Sequence, residues 1–291
     1  MLLQRLSVVL LAATLAGPFP AMPAHAVPQA SQQALTSERV QPLLELLQLD
    51  RLLQIIRDEG LGYAEMVRQD MFPEIPPVAW KAQAARVYDL DRMRGLMVQG
   101  FDAAKTAPDD GTLGEMVGFF SSDLGRRIIT LEVDARRAML DDAVERQAAR
   151  DFAEVMETEP ARVGLLEDFV RANDLIESNV VGGMNSNYAF YSGLLDGGAF
   201  PFDVSEEQIL SDVWAQEDEI RSESEIWIYS YLNLAYRPLS NADLGAYVDF
   251  SRSDTGRAFN RALFDAFDRV FNTLSYDLGR AAGQSLRGEE L

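Results

Sequence analysis

The sequence predicts an all-α protein, a helical bundle or array of roughly ten helices built from two related halves. Three observations lead there. Apolar residues recur at spacings of three and four along most of the chain, while no stretch alternates apolar and polar residues with period two between turn pairs. Helix caps and breaks follow at regular intervals: Thr158-Glu159-Pro160, Ser205-Glu206-Glu207, Pro238-Leu239-Ser240 and the proline-rich Phe72-Pro73-Glu74-Ile75-Pro76-Pro77. Finally, one segment occurs twice. Leu113–Met139 and Leu244–Val270 align without a gap and share Leu, Gly, Val, Phe, Ser, Asp, Gly, Arg, Asp and Ala at matching places.

The N-terminus reads as a processing signal. Arg5 precedes the apolar run Leu6–Gly17, and Ala24-His25-Ala26 supplies a small-x-small end, so cleavage is expected after Ala26 and export to the periplasm follows. The apolar run is too short to span a bilayer comfortably, and no later stretch is long enough, so no integral membrane span is expected after cleavage. His25, the only histidine, leaves with the signal, and the chain has no cysteine. Ser-His-Asp and Cys-His catalysis, a His/Cys zinc site and a lipid anchor on cysteine are thereby excluded from the mature chain. With Arg5 removed the mature chain keeps 25 basic against 46 acidic residues. That balance argues against nucleic acid and against anionic lipid as partners, and it favours solubility first.

Residues 27–39 are polar and aperiodic and are expected to form a flexible leader. The first half spans 40–158. Its opening helix carries Leu43, Leu44, Leu47, Leu49, Leu52, Leu53, Ile55 and Ile56, loosened or ended by Gly60 and Gly62. A second helix covers Val78–Lys105 with Trp80, Ala84, Val87, Leu90, Met93, Met97 and Phe101 as its stripe. After the turn Pro108–Gly111 comes the first repeat copy, a short helix and then a long one reaching towards Glu157.

The second half spans 159–285. A helix from Pro160 is expected to reach about Val181, where Gly182-Gly183 breaks the chain. Asp196-Gly197-Gly198 and Pro201 make a loop. The helix opened by Ser205 carries Ile209, Val213, Trp214, Ile220, Trp227, Ile228, Tyr231 and Leu232 and ends at Pro238. The second repeat copy follows, and residues 286–291 form a tail.

Within each copy the polar residues describe a corner. Leu113, Met116, Val117 and Phe120 make a helix face; Leu244, Tyr247, Val248 and Ser251 take those places in copy two. Ser122-Asp123 and Ser253-Asp254 end one helix and cap the next. Gly125 and Gly256 sit in the first turn of the new helix, where a missing Cβ lets the previous helix cross closely. The pattern F-x-x-S-D-x-G-R, carried by Phe119, Ser122, Asp123, Gly125 and Arg126 and by Phe250, Ser253, Asp254, Gly256 and Arg257, resembles the motif of the domain of unknown function 2059. Copy one keeps a second aromatic, Phe120; copy two departs there with Ser251. The resemblance implies an exported helical protein of unassigned activity and brings no catalytic residue.

Candidate chemistry is sparse. Glycoside cleavage needs only two carboxyl groups, and Glu217, Asp218, Glu219, Glu223 and Glu225 are the densest acidic run, though their polar neighbours read as a solvated face. Asp109-Asp110-Gly111 and Asp196-Gly197-Gly198 lack calcium-loop spacing and read as turns, and no metal or cofactor is expected. The most unusual composition is Gly182–Phe202, whose Tyr188, Phe190, Tyr191, Phe200 and Phe202 either plug the seam between the halves or line a ligand or partner segment. The reading that follows is a non-catalytic binding or envelope-assembly module, its partner an unknown protein, peptide or envelope component. The alternative is a carboxylate-dependent hydrolase acting on envelope polymers.

Overall fold

The computed structural model describes residues 29–101, 107–200 and 204–288; the expected signal peptide, Lys105, Phe202 and the last residues of the tail lie outside them. The fold is all-α. Among the described residues there are thirteen helices and no strand: α1 (Gln29–Leu46), α2 (Leu49–Met71), α3 (Pro77–Val87), α4 (Leu90–Phe101), α5 (Asp110–Ser121), α6 (Asp123–Ala138), α7 (Asp142–Thr158), α8 (Pro160–Ala172), α9 (Leu175–Asp196), α10 (Glu206–Trp214), α11 (Glu217–Tyr236), α12 (Asn241–Arg252) and α13 (Asp254–Leu286). No helix among them is long and apolar enough to cross a membrane.

There are more helices than the periodicity indicates because several turns carry no proline or glycine. The first expected helix divides at Gln48, held left-handed at φ 53° between the buried Leu47 and Leu49. The second divides at Tyr88-Asp89, where Tyr88 is fully buried and the Asp89 carboxylate accepts from Arg92 N at 2.9 Å. The long helix of copy one ends at Ala138, and Asp141 caps α7 by accepting from Ala143 N at 2.8 Å. The helix from Ser205 divides near Gln216. In each case apolar side chains flank the turn, so their spacing does not register it. Helix α1 already begins at Gln29, within the stretch read as a leader.

The glycines behave in the opposite way. Gly60 and Gly62 do not end α2; Gly60 lies against the ring of Tyr88. Gly182-Gly183 does not break the chain either. The break falls earlier, at Asp174 (φ 50°), and α9 then runs unbroken to Asp196. A Cβ on Gly193 would overlap Tyr276 O, and one on Gly279 would overlap Phe190 O. These glycines let the backbones of α9 and α13 approach closely.

Helix α13 is the central element. Its 33 residues, on the order of 50 Å at the α-helical rise, lie along α9 and α4 and touch α3, α5 and α12. Helix α11 packs on α6, α7 and α9, and α12 packs on α8. Two apolar cores result. One joins α1–α5 to α9 and α13 around Leu43, Ile56, Trp80, Met97 and Phe267; the other joins α6, α8, α11 and α12 around Ile128, Leu166, Leu232 and Val248. A smaller cluster of Val180, Met184, Ile209, Val213 and Ile220 seats α10.

The two repeat corners have the same local geometry. Ser122 and Ser253 cap with φ/ψ of −66°/162° and −70°/163°. Ser122 Oγ accepts from Gly125 N at 3.0 Å and donates to Phe119 O at 2.7 Å; Ser253 Oγ accepts from Gly256 N at 2.9 Å and donates to Phe250 O at 2.6 Å. A Cβ on Gly125 or Gly256 would overlap the carbonyl of Phe119 or Phe250. The corners also meet: Phe119 stacks on Phe250 with ring centroids 3.7 Å apart and planes 6° apart.

Candidate functional site

The site lies where the two cores adjoin, and α6 supplies it. Its buried stripe includes Ile128, Ile129, Val133, Ala135 and Arg136, while Leu131 is half-buried and Ala138 exposed. Glu132 lies on this stripe, one turn after Ile128 and one before Arg136. It keeps part of its residue surface open, yet its carboxyl group is enclosed. Tyr236 Oη donates to Glu132 Oε1 at 2.6 Å, and the Tyr247 hydroxyl bonds the same carboxyl group. Tyr231 Oη donates to the Glu132 backbone carbonyl at 3.1 Å. Burial pushes the Glu132 carboxyl up to about 7 against the lowering effect of the two hydroxyls. The three phenols are themselves held well above their usual range, by burial first and by the facing carboxylate second.

Tyr236 is fixed from behind. Arg162 on α8, 6% exposed, donates to the carbonyls of Tyr236 and Leu239 and to Asn241 Oδ1. A cation at the C-terminal carbonyls of α11 complements the end of that helix.

Glu132, Tyr231, Tyr236 and Tyr247 line a cavity of about 100 Å³, whose other walls include Leu47, Ile129, Phe169, Phe259, Leu263 and Phe267. Arg136 lines it too. One terminal nitrogen of Arg136 donates to Glu59 Oε2 at 2.6 Å. Burial raises the Glu59 carboxyl despite that pairing.

Glu59 opens onto a second space, a surface cleft of about 750 Å³ between α2, α7 and α11. Its apolar floor includes Tyr63, Met139 and Ile220, which are buried; Leu140 and Ile226 at its edge are 37% and 59% exposed. Asp58, Glu59, Asp142, Glu145 and Glu223 line it together with a single arginine, Arg146.

The residues singled out from sequence fall elsewhere. Ser122, Asp123, Ser253 and Asp254 are at helix caps, and Arg126 and Arg257 pair with Asp123 and Asp254 three residues back. In the Gly182–Phe202 segment Phe190 is buried in the first core, Tyr191 and Phe200 are half-buried against it, and Tyr188 donates to Glu206. None of these four lines the cavity or the cleft. Of the acidic run on α11, Glu223 lines the cleft, and Glu217 pairs with Arg221 at 3.1 Å. No group of three Asp, Glu, His or Cys is placed to hold a metal among the described residues.

Sequence reasoning missed Glu132 and Arg136, although a signal existed. At the spacing that relates the copies (113 to 244), Glu132 corresponds to Leu263 and Arg136 to Phe267. A Glu and an Arg four residues apart, on a stripe that is apolar in the sister copy, mark the polar wall of the cavity. Compared with protein-family models, curated proteins and solved structures, the chain matches none.

Proposed function

We propose that this protein is an exported, periplasmic binding module without a catalytic role, and that the cleft between α2, α7 and α11 receives a cationic, partly apolar segment of its partner. The carrying observation is the cleft itself: an apolar floor continued by exposed Leu140 and Ile226, bordered by Arg146 and by five carboxylates, of which Asp58 and Glu59 pair with Arg137 and Arg136. An acidic border over an apolar floor favours an amphipathic basic segment through charge and burial together. The net charge of −20 adds long-range attraction of the same sign. The signal pattern of Arg5, Leu6–Gly17 and Ala24-His25-Ala26 and the F-x-x-S-D-x-G-R resemblance support an exported scaffold, with 40–158 and 159–285 as its two related halves, and the lack of histidine and cysteine after Ala26 supports binding over catalysis.

The test is the affinity of a labelled basic amphipathic peptide for the mature chain, at low and at high salt. Binding should weaken by at least about tenfold at high salt and in the surface variant Leu140→Asp/Ile226→Asp. Affinity indifferent to both salt and the variant refutes the reading.

The hydrolase alternative needs two carboxyl groups facing each other across one space, ~5–9 Å apart. Of the carboxyl groups raised by burial, Glu59 and Glu132 are the ones that line these two spaces most deeply. They line different pockets, and Glu59 is held by Arg136. Envelope-polymer hydrolysis that Glu132→Gln abolishes, with fold retained, would establish that alternative instead.

A further inference from the structure

The cavity around Glu132 carries its two charged groups on α6, while α13 contributes Leu263 and Phe267 together with Asn260, whose amide is paired with Asn173. Glu132 and Arg136 stand one turn apart on α6, and their sister residues Leu263 and Phe267 on α13 line the same space. The duplicated helix thus contributes a charged pair in one copy and an apolar pair in the other. Arg136 is 4% exposed, with one terminal nitrogen on Glu59, and its Nε–H has no hydrogen-bond partner in the protein. Such a buried donor calls for an acceptor. Glu132 is engaged by two phenols, and a carboxylate has acceptor positions for more. Side chains four residues apart on a helix start from Cβ atoms roughly 5–6 Å apart. One small head group presenting an acceptor and a donor on adjacent atoms can therefore bridge the two.

We propose that this cavity binds a small uncharged amphipathic molecule of the primary carboxamide type, its carbonyl oxygen accepting from Arg136 Nε–H, its N–H donating to Glu132, and its apolar body against Leu263 and Phe267. Charge selects against relatives of such a ligand. An acid adds an anion beside the Glu132 carboxyl group while the Arg136 charge is already taken by Glu59; an amine can pair with Glu132 but offers no acceptor to Arg136 Nε–H and leaves that buried donor unpaired. Size selects as well. An engineered apolar cavity of ~150 Å³ holds benzene; at about 100 Å³ this one suits a smaller, branched body. The site is separate from the cleft and stands or falls independently of it.

The test is a titration of the mature chain with isobutyramide, isobutyrate and isobutylamine, three probes of one shape, followed by calorimetry and by the ring proton signals of Tyr231, Tyr236 and Tyr247. The amide should bind and shift those signals. The acid, which adds a second anion beside Glu132, and the amine, which leaves Arg136 Nε–H without an acceptor, should each bind at least about tenfold more weakly, and Leu263→Phe, which fills the cavity while leaving both polar groups in place, should abolish binding. No binding of the amide, equal binding of all three probes, or tyrosine signals that stay fixed while the amide binds each overturns the proposal. The tyrosine readout on the unaltered chain decides the matter even where Leu263→Phe fails to fold.

Discussion

Tyr236 Oη stands 2.6 Å from Glu132 Oε1 and links the end of α11 to the middle of α6 across 104 residues of sequence. The bond lowers the Glu132 carboxyl, yet burial outweighs it and raises the group from 4.5 to about 7. Arg136 lies one turn further along α6 and lines the same cavity, and Tyr231, Tyr236 and Tyr247 face the carboxyl group from α11 and α12.

A pH dependence follows. Folded Glu132 holds a proton that the unfolded chain has released between about pH 4.5 and 7, so the folded state binds more protons in that window. Its contribution is full below the unfolded value and is lost as pH rises through the folded one, by at most about 3 kcal/mol. Glu132→Gln should remove this slope and gain stability relative to the parent at pH 8. Burial raises Asp268 to about 6 as well, so the difference between the two denaturation curves across pH, rather than either curve, isolates Glu132.

The buried Glu59–Arg136 pair should respond asymmetrically. Glu59→Leu leaves a buried guanidinium unpaired and should cost about 3–5 kcal/mol. Adding Arg136→Leu should recover most of that loss, which urea denaturation of the single and double variants would show. A double variant no better than the single one would mean that the pair contributes more than it costs to bury.

The corner glycines should invert the usual helix preference. Gly118 lies in α5 with open space where a Cβ would go, so Gly118→Ala should stabilise by about 0.5–1 kcal/mol. Gly125→Ala and Gly256→Ala drive a Cβ into the carbonyls of Phe119 and Phe250 and should each destabilise by about 2–3 kcal/mol. Ser122→Ala and Ser253→Ala remove one cap each, at about 1 kcal/mol. Thermal unfolding of the five variants checks both the signs and their order.

The stack of Phe119 on Phe250 should appear as a coupling energy. A double-mutant cycle with Phe119→Leu and Phe250→Leu should return about 1 kcal/mol. A coupling near zero would mean that the two corners touch without supporting each other.

Several features were legible because their causes are local. The all-helical class rests on spacings within one or two turns, and each serine cap depends on a residue three positions away. The aromatic, glycine-rich composition of Gly182–Phe202 was equally plain, but its meaning was not: the partner of Gly193 is Tyr276 and that of Gly279 is Phe190, contacts between helices distant in sequence.

By itself the sequence determined an acidic, cysteine-free, all-helical chain with the same Ser-x-x-Gly corner built twice. Only the tertiary structure decided that the two corners stack through Phe119 and Phe250, that Glu132 is enclosed by Tyr236 and Tyr247, and that Arg136 is paired with Glu59 between a cavity and a cleft. The physical reason is range. A cap or a helix face is satisfied by its own neighbours, whereas the burial that raises a carboxyl group is imposed by side chains arriving from several other helices, α8, α11, α12 and α13 among them, and no spacing along α6 records their arrival.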